Sequence, residues 1–198
     1  MQVVRSDLAG RLRSPSMLIF DAKEFRMRKV VLQLAVSLDG FIEGPNGEYD
    51  WCFTDQDYGL QEFFTRIDAV FIGRKSYEVV NAADDNSWMP PVKKYVFSTT
   101  LKTVRDNEVL IDSDIEEQVR ALKEEPGKDI WLFGGASLTK TLMEAMLVDE
   151  LILAVHPILL GRGKMLFDGL SKRVPLQHLK TLSYNTGLVM LSYAVVRR

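Results

Sequence analysis

The stretch "IWLFGGASLTKTLMEAML", residues 130–147, decides the fold of this chain. Its first part is a short apolar run typical of a buried strand, and beyond Gly134 and Gly135 the apolar residues recur at helical spacing. A strand that leads directly into a helix is the unit from which α/β domains with parallel sheets are built. The glycine pair has two interpretations: its bare backbone receives phosphate groups, or glycine only lets the chain turn sharply.

The rest of the sequence repeats this alternation of strand and helix. We predict strands at residues 29–37, 69–73, 94–100, 107–111, 129–135 and 149–159, and helices at 55–68, from 74 onward, at 113–125 and at 136–147. Asp55 is available as the N-cap of the first helix, and Ser113 and Glu116 have the spacing of a capping box. Residues 38–51, rich in Gly, Pro and Asn, are predicted to form a long irregular loop.

The C-terminal segment differs from this alternation. Residues 176–198 are predicted to form two strands joined around Asn185 and Gly187. We therefore expect an α/β fold in which a mostly parallel central sheet is closed by a C-terminal antiparallel hairpin.

The composition indicates one ordinary globular domain and excludes several classes of partner. The chain has 198 residues, of which 46% are hydrophobic and 26% charged. Its 25 basic and 27 acidic residues give a net charge of −2, so no field of the whole protein attracts nucleic acid or an acidic membrane. The apolar runs are too short for a membrane span. We expect a small molecule or another protein chain as the partner.

The cysteine count indicates where the protein works. Cys52 is the only cysteine, so no intramolecular disulfide can form. No Cys/His cluster has the spacing of metal ligands. We therefore expect a cytoplasmic protein that uses no metal.

The first 26 residues lack the regular pattern that begins just after Met27 in "RKVVLQLAVS". We expect residues 1–26 to be an extension outside a single domain of residues 27–198. A weakly basic organelle-targeting arm is the alternative interpretation of this extension.

Three predicted strands end in residues suited to binding phosphate, and the ends of parallel strands meet at one edge of the sheet. Each following helix start offers free backbone N–H groups to an anion. The residues at these ends are Gly73, Arg74, Lys75 and Ser76; Ser98 and Thr99; and Gly134, Gly135, Ala136 and Ser137. Neither the GxGxxG fingerprint nor the phosphate loop ending in GK[ST] is present. Taken together, the three ends would suit a phosphorylated dinucleotide and point to NADPH.

Five segments in this order resemble the dihydrofolate-reductase-like superfamily. They are "LAVSLDGFI", "DAVFIGRKSYE", "KYVFSTT", "IWLFGGASLTKTLM" and "VDELILAVHPILLGRGKMLF". The most similar branch contains the pyrimidine reductase domain of riboflavin biosynthesis, and the resemblance covers nearly everything from Met27 onward. It implies a three-layer α/β/α fold, NADPH as cofactor and a homodimer.

The resemblance also implies a role for each part of the cofactor site. Arg74, Lys75 and Ser98 would hold the adenosine-side phosphate. Residues Gly134 to Ser137 would hold the pyrophosphate. Backbone at Ala35 and Val36 would lie against the nicotinamide.

The substrate side offers several candidate residues, each with a structural alternative. Asp39 and Asp57 are the candidate catalytic carboxylates, although Asp39 could only organise a turn and Asp57 could only favour a helix start. Trp51 could stack on a planar substrate or cap the core. Ser37, of the "SLDG" segment, and Phe41 are further candidates for substrate binding, whereas His156 is more typical of a hydrogen-bonded strand end than of a proton donor.

The substrate itself stays open at this level. Pyrimidine reductases grip a ribose phosphate with an Arg-rich segment, and the corresponding region here reads "NAADDNSWMPPVKKY", without Arg. The resemblance implies an NADPH-dependent reductase of a small planar heterocycle, similar to 5-amino-6-(5-phosphoribosylamino)uracil reductase. A dihydrofolate or pterin reductase, or a nucleotide-binding protein without turnover, are the alternatives.

Overall fold

The computed structural model describes residues 26–82 and 88–197. The predicted N-terminal extension therefore lies outside the described residues except for Arg26. No helix among the described residues is long and apolar enough to cross a membrane.

Ten strands and four helices make up the described part of the chain. In chain order they are β1 (Val30–Ser37), β2 (Phe41–Glu43), α1 (Leu60–Thr65), β3 (Ile67–Gly73), α2 (Arg74–Ala82), β4 (Lys93–Phe97), β5 (Glu108–Ile111), α3 (Ile115–Glu124), β6 (Asp129–Gly134), α4 (Ala136–Glu144), β7 (Glu150–His156), β8 (Lys164–Met165), β9 (Leu176–Ser183) and β10 (Val189–Val195).

Eight strands form one twisted sheet in the order β5-β4-β3-β6-β1-β7-β10-β9. The first six strands are parallel, and β10 and β9 join them as an antiparallel hairpin. This confirms the expected mostly parallel sheet with its closing hairpin. Strand β1 lies between β6 and β7, so the segments that follow β1 are central to the carboxyl edge of the sheet.

Strand β1 shows why the helices cover both faces. Its residues alternate between the two faces, and because all of them except Gln33 and Ser37 are apolar, both faces must be buried. Val30 and Leu32 pack in one core with side chains of α3 and α4, including Val119 and Leu142. Val31 packs in the second core with side chains of α1 and α2. The result is a three-layer α/β/α domain, as expected.

Two predictions about helix starts are wrong in detail. The first helix begins at Leu60 rather than near Asp55, because Tyr58 and Gly59 have left-handed backbone with φ of 50° and 79°. The predicted capping box of Ser113 and Glu116 is not formed. Asp114 is the N-cap of α3 and makes no side-chain capping hydrogen bond.

The predicted irregular loop after β1 contains a short strand that the sequence did not reveal. Strand β2 pairs with β8 in an antiparallel two-stranded ribbon, with Phe41 opposite Met165. Gly163 makes this pairing possible, because a Cβ at that position would lie 2.1 Å from the Glu43 carbonyl oxygen. The ribbon ties the loop after β1 to the loop after β7.

Candidate active site

The carboxyl edge of the sheet brings the predicted phosphate-binding strand ends together. Gly73 at the end of β3 is in register with Phe97, the residue before Ser98. Ile72 of β3 is in register with Gly134 at the end of β6. The three strands β4, β3 and β6 are neighbours in the sheet, so their ends lie side by side.

Two helix starts meet at this edge. Helix α2 begins at Arg74 directly after β3, and α4 begins at Ala136 with Gly135 as its N-cap. A Cβ added to Gly135 would lie only 3.1 Å from Ser76 Oγ, so the first turn of α2 packs against the N-cap of α4. Among the residues that the structure describes, no side chain caps α4, which leaves its first-turn N–H groups available to an anion. The positive ends of two helices therefore converge on one spot.

The glycines at this spot combine both interpretations of the sequence. A Cβ at Gly73 would lie 3.4 Å from the carbonyl oxygen of Gly134 and from the amide nitrogen of Gly135, which is ordinary van der Waals contact, so Gly73 packs directly against the glycine turn. Gly134 has a φ of +117°, which L side chains rarely adopt, and no atom would lie within 4 Å of a Cβ built on it. The positive φ of this turn therefore requires glycine at position 134, and the open space around Gly134 leaves its backbone accessible to a ligand.

The basic side chains at the start of α2 differ in whether they already bind a partner among the described residues. Arg74 Nη1 donates to both oxygens of Glu78, at 2.8 and 3.0 Å, across one helical turn. Lys75 is exposed and forms no ion pair with any described residue. Exposed pairs one helical turn apart contribute only about 0.3–0.5 kcal/mol, so an arriving phosphate can compete for Arg74.

The segment after β4 is shaped by Ser98. Its buried hydroxyl oxygen accepts hydrogen bonds from the amides of Thr100 and Leu101, at 3.2 and 3.0 Å. Thr99 is exposed beside it. Ser98 therefore closes a local turn, and its hydroxyl also shares a hydrogen bond of 3.3 Å with Thr100 Oγ1, in which either oxygen can be the donor.

Asp39 organises the loop that follows β1. Its Oδ1 accepts from Ser37 Oγ at 2.6 Å and from the Leu160 amide at 3.1 Å, and its Oδ2 accepts from the Gly161 amide at 2.7 Å. These hydrogen bonds, that from Ser37 above all, hold the pKa of Asp39 below its usual range. The carboxylate is thus ionised at neutral pH and joins the loop after β1 to the loop after β7.

His156 ends β7 directly opposite Ser37 of β1. Its Nε2 accepts a hydrogen bond from the Phe53 amide at 3.0 Å, so the proton of the neutral ring lies on Nδ1, which donates to the Ala154 carbonyl at 2.9 Å. Burial lowers the pKa of His156 and keeps the ring neutral. Trp51 and Phe53 meet the ring edge-on, at centroid distances of 5.3 and 5.0 Å. His156 therefore fastens the aromatic segment that follows β2 to the sheet.

The other predicted site residues are placed as follows. Ala35 and Val36 lie in register with Ala154 and Val155 near the end of β1. Phe41 belongs to the β2–β8 ribbon, and its amide donates to Ser37 Oγ at 2.9 Å. Trp51 is half-buried, and its indole nitrogen is buried without a hydrogen-bond partner among the described residues.

Asp57 lies just before α1. Its two oxygens accept from the amides of Gly59 and Gln61, each at 3.0 Å. This is the structural alternative weighed from the sequence, because both oxygens serve the start of the helix. The side chain is exposed.

Sequence reasoning missed a groove on the α1 and α2 side of the sheet. One wall is helix α1, through Gln61, Phe64 and Thr65, and the other wall is the segment 88–91, "WMPP"; the cavity between them is about 390 Å³. We call it the aromatic groove. The absence of Arg from this region was visible in the sequence, but nothing there indicated that Trp88 would face α1.

A larger cavity of about 610 Å³ lies at the opposite, amino edge of the sheet. Asp129 and Glu150 line it, and Arg66 binds both of them at 2.8 and 3.0 Å. These ion pairs satisfy the buried carboxylates, and none of the strand-end motifs lies there. Among the described residues, no group of three or more His, Cys, Asp or Glu side chains could hold a metal ion.

The parallel sheet, the helices on both of its faces and the glycine turns at its carboxyl edge define a dihydrofolate-reductase-like α/β protein. Within that class, the chain belongs to the RibD C-terminal domain family, whose model matches residues 28–190. This confirms the superfamily and branch that the five segments indicated.

Two Bacillus subtilis (strain 168) proteins are similar in sequence. The chain is 41% identical to the uncharacterized protein YyaP over 179 residues, which is 85% of this chain and 95% of that protein. It is 36% identical to the uncharacterized protein YwjB over 157 residues, which is 76% of this chain and 88% of that protein.

Three solved structures show the same fold. A Shewanella sp. PV-4 protein described as a candidate riboflavin biosynthesis protein has a TM-score of 0.77 at 24% identity, covering 85% of this chain and 99% of its own. The Thermotoga maritima pyrimidine deaminase/reductase has a TM-score of 0.68 at 15% sequence identity, and the match covers 86% of this chain and 57% of that protein. Enterococcus faecalis dihydrofolate reductase complexed with NADP(H) has a TM-score of 0.61 at 16% sequence identity, and the match covers 84% of this chain and 94% of that protein. These likenesses confirm the expected fold class.

Proposed function

We propose that this protein is an NADPH-dependent reductase of a small planar heterocycle, similar to the pyrimidine reductases of riboflavin biosynthesis. The observation that carries the proposal is the convergence of two helix N-termini, α2 and α4, on bare glycine backbone at the carboxyl edge of the sheet. Basic side chains follow the first of these glycine turns. This donor set suits a phosphorylated dinucleotide.

The proposed cofactor site divides into three parts. The N-cap and first turn of α4, from Gly134 to Ser137, bind the pyrophosphate through backbone N–H groups. Arg74, Lys75 and Ser98, with Gly73, Ser76 and Thr99 around them, bind the adenosine-side phosphate that distinguishes NADPH from NADH. Backbone at Ala35 and Val36 faces the nicotinamide, and bound NADPH supplies the hydride.

On the substrate side, we assign Asp39 a positioning role. Its carboxylate is ionised at neutral pH and is engaged by three donors, so it is a poor proton donor. By holding the loops after β1 and β7 together, it fixes Ser37 and Phe41 beside the proposed substrate position, and His156 holds Trp51 next to them. Asp57, bound to the start of α1, takes no proton-transfer role in this proposal.

We propose a reducing, cytoplasmic location because Cys52 is the only cysteine in the sequence. The thiol is half-buried, and burial, reinforced by nearby Asp50, raises its pKa to about 11. A thiol with so high a pKa is a weak nucleophile at neutral pH. Cys52 therefore takes no part in the proposed chemistry.

A nucleotide-binding protein without turnover is the second candidate. It is favoured by one observation, the engagement of both candidate carboxylates, Asp39 and Asp57, in structural hydrogen bonds. Under this alternative the cofactor site binds NADPH but no heterocycle is reduced.

Turnover across a substrate panel separates the two candidates. The full-length protein is mixed with NADPH and with pterins and aminopyrimidines in turn, and the loss of NADPH absorbance is followed. We expect at least one aminopyrimidine or pterin to be reduced. If NADPH binds and no member of the panel is reduced, the binding protein is the better account.

A further inference from the structure

We propose that the cavity at the amino edge of the sheet is a second anion site, which binds a compound with a di- or triphosphate group. This amino-edge cavity lies at the opposite end of the sheet from the proposed cofactor site, and the inference does not depend on that site. The cavity has a volume of about 610 Å³, within the range of small-molecule sites. Five cationic side chains and two carboxylates line it, namely Arg26, Arg28, Lys29, Arg66 and Lys128 with Asp129 and Glu150.

The starts of four parallel strands bring these charges together. Lys29 immediately precedes β1, and Arg66 immediately precedes β3. Asp129 begins β6, and Glu150 begins β7. The four strands are neighbours in the middle of the sheet, in the order β3-β6-β1-β7. The charges are therefore held at fixed positions by the central strands rather than by a long loop.

Both carboxylates of the amino-edge cavity already have partners. Asp129, only 6% exposed, accepts from Arg66 Nε and Nη2 at 3.2 and 2.8 Å. It also accepts from Arg26 Nη2 and from the Lys29 amide, each at 3.2 Å. Glu150 accepts from Nη1 and Nη2 of Arg66, each at 3.0 Å. Since their oxygens are occupied, the carboxylates hold the cations in place and offer little to a further cation.

The cations, in contrast, have unused donors. A guanidinium carries five N–H donors, and Arg28 uses only Nε, to the Lys128 carbonyl at 2.7 Å, and Nη2, to Asp68. Its Nη1 donates to no described residue, although Arg28 is only 5% exposed and lines the cavity. Lys128 Nζ donates to the Thr65 carbonyl at 2.8 Å and has two further N–H donors. A ligand that satisfies these donors must be an acceptor, which favours an anion.

The surplus of positive charge favours an anion with several charges. Three more cations than carboxylates line the cavity, and Asp68, outside the lining, offsets one of them by pairing with Arg28. Guanidinium and ammonium groups both bind phosphate oxygens well. A phosphate chain presents charged oxygens along its whole length, whereas a carboxylate presents only two. A di- or triphosphate therefore matches the number and the spread of the free donors.

The amino-edge cavity is far enough from the proposed cofactor site for the two to bind independently. Strand β1 runs between them for eight residues, which at about 3.3 Å per residue is roughly 25 Å. This separation exceeds the Debye length of about 8 Å at physiological ionic strength. NADPH and the second anion should therefore bind at the same time.

Calorimetric titration of the full-length protein with tripolyphosphate tests the site. The protein is held in saturating NADPH, so that the proposed cofactor site is closed to the probe. We expect one tripolyphosphate per chain, bound at least about ten-fold more tightly than the tricarboxylate citrate, and more weakly as NaCl is added. Absence of binding in NADPH, or tighter binding of citrate, overturns the proposal.

Two lysines of the cavity locate the binding. The double variant Lys29→Gln, Lys128→Gln removes two charges and leaves Arg66 paired with both carboxylates, so it should weaken tripolyphosphate about ten-fold. The double variant Lys164→Gln, Lys180→Gln removes two exposed charges outside the cavity and should keep the wild-type affinity. An unchanged affinity in the first variant, or an equal loss in both, contradicts the cavity as the site.

This proposal and the proposed function fail separately. Thermal protection by NADPH should be the same in the Lys29→Gln, Lys128→Gln variant as in the wild type, which also shows that the variant is folded. Tripolyphosphate binding that depends on Lys29 and Lys128 supports the amino-edge site even if NADPH protects nothing. NADPH protection without tripolyphosphate binding rejects the amino-edge site and leaves the proposed reductase intact.

Discussion

His156 illustrates how one side chain shapes the site without chemistry of its own. Its neutral ring accepts the Phe53 amide, and burial lowers its pKa. An unfolded histidine takes up a proton near pH 6.5, and the folded His156 does so only at lower pH. The contribution of His156 to the free energy of unfolding should therefore be fully present above pH 6.5 and should decrease as the pH drops below that value.

This pH dependence can be measured with two variants. Urea denaturation between pH 7.5 and 5.5 should show a loss attributable to His156 of at most about 1.4 kcal/mol per pH unit. His156→Gln should remove that contribution and give a flatter profile. His178→Gln, on the exposed strand β9, is the control and should keep the wild-type slope. A His156→Gln profile parallel to the wild type would contradict the buried neutral ring.

Asp39 and Asp57 make separable predictions for amide exchange. In Asp39→Ala, the amides of Leu160 and Gly161 lose their acceptor and should exchange faster with deuterium, whereas those of Gly59 and Gln61 should not change. Asp57→Ala should give the reverse pattern. Unaltered exchange at residues 160–161 in the Asp39 variant would refute its role in joining the two loops.

Among the secondary-structure elements, those with long periodic patterns could be predicted from the sequence. Strand β1 is where its continuous apolar run placed it, because a strand buried on both faces requires such a run, and helix α2 begins directly after Gly73 as predicted. The β2–β8 ribbon could not be predicted, since its strands are too short to have a period. Helix α1 was predicted too long because the left-handed backbone at Tyr58 depends on tertiary contacts, here with Tyr184.

The site divides in the same way. The glycine turns and the strand-end residues follow from local sequence, so the convergence of Gly73 with Gly134 could be anticipated once the strands were known to be neighbours. The part played by His156 could not, because its partner Phe53 is 103 residues away in the chain. The aromatic groove likewise joins α1 to a segment more than 20 residues later, and no local pattern specifies that contact.

The ribbon makes its own prediction. Gly163→Ala places a Cβ against the Glu43 carbonyl and should lower the free energy of unfolding by about 1–3 kcal/mol through overpacking, beyond the cost of its positive φ. Gly161→Ala is the matched control, since its φ is +70° and its surroundings are open; we expect a loss of about 1–2 kcal/mol from backbone strain alone. Guanidinium denaturation measures both, and equal losses would argue against the close approach.

The outer edge of the sheet bears on the expected homodimer. Among the described strands, β9 pairs only with β10; all eight of its residues are exposed, and Leu179 and Leu182 are 49% and 40% exposed. An antiparallel edge strand can pair with its own copy about a two-fold axis, so we predict dimerisation through β9. In sedimentation equilibrium, the double variant Leu179→Lys, Leu182→Lys should have the monomer mass of 22.5 kDa, and Val79→Lys should stay dimeric. A monomeric wild type would reject the homodimer.

The phosphate-binding edge of the sheet is tested most directly by thermal unfolding with each nicotinamide cofactor. At 100 times its Kd, a ligand adds about 2.7 kcal/mol of stability, on the order of 5–10 °C in Tm for a chain of this size. We predict that NADPH raises the Tm well above the value reached with the same concentration of NADH. Replacing Arg74 and Lys75 together by Ala should abolish the difference while leaving the Tm without ligand nearly unchanged. Equal protection by the two cofactors in the wild type, or protection by neither, would contradict this assignment.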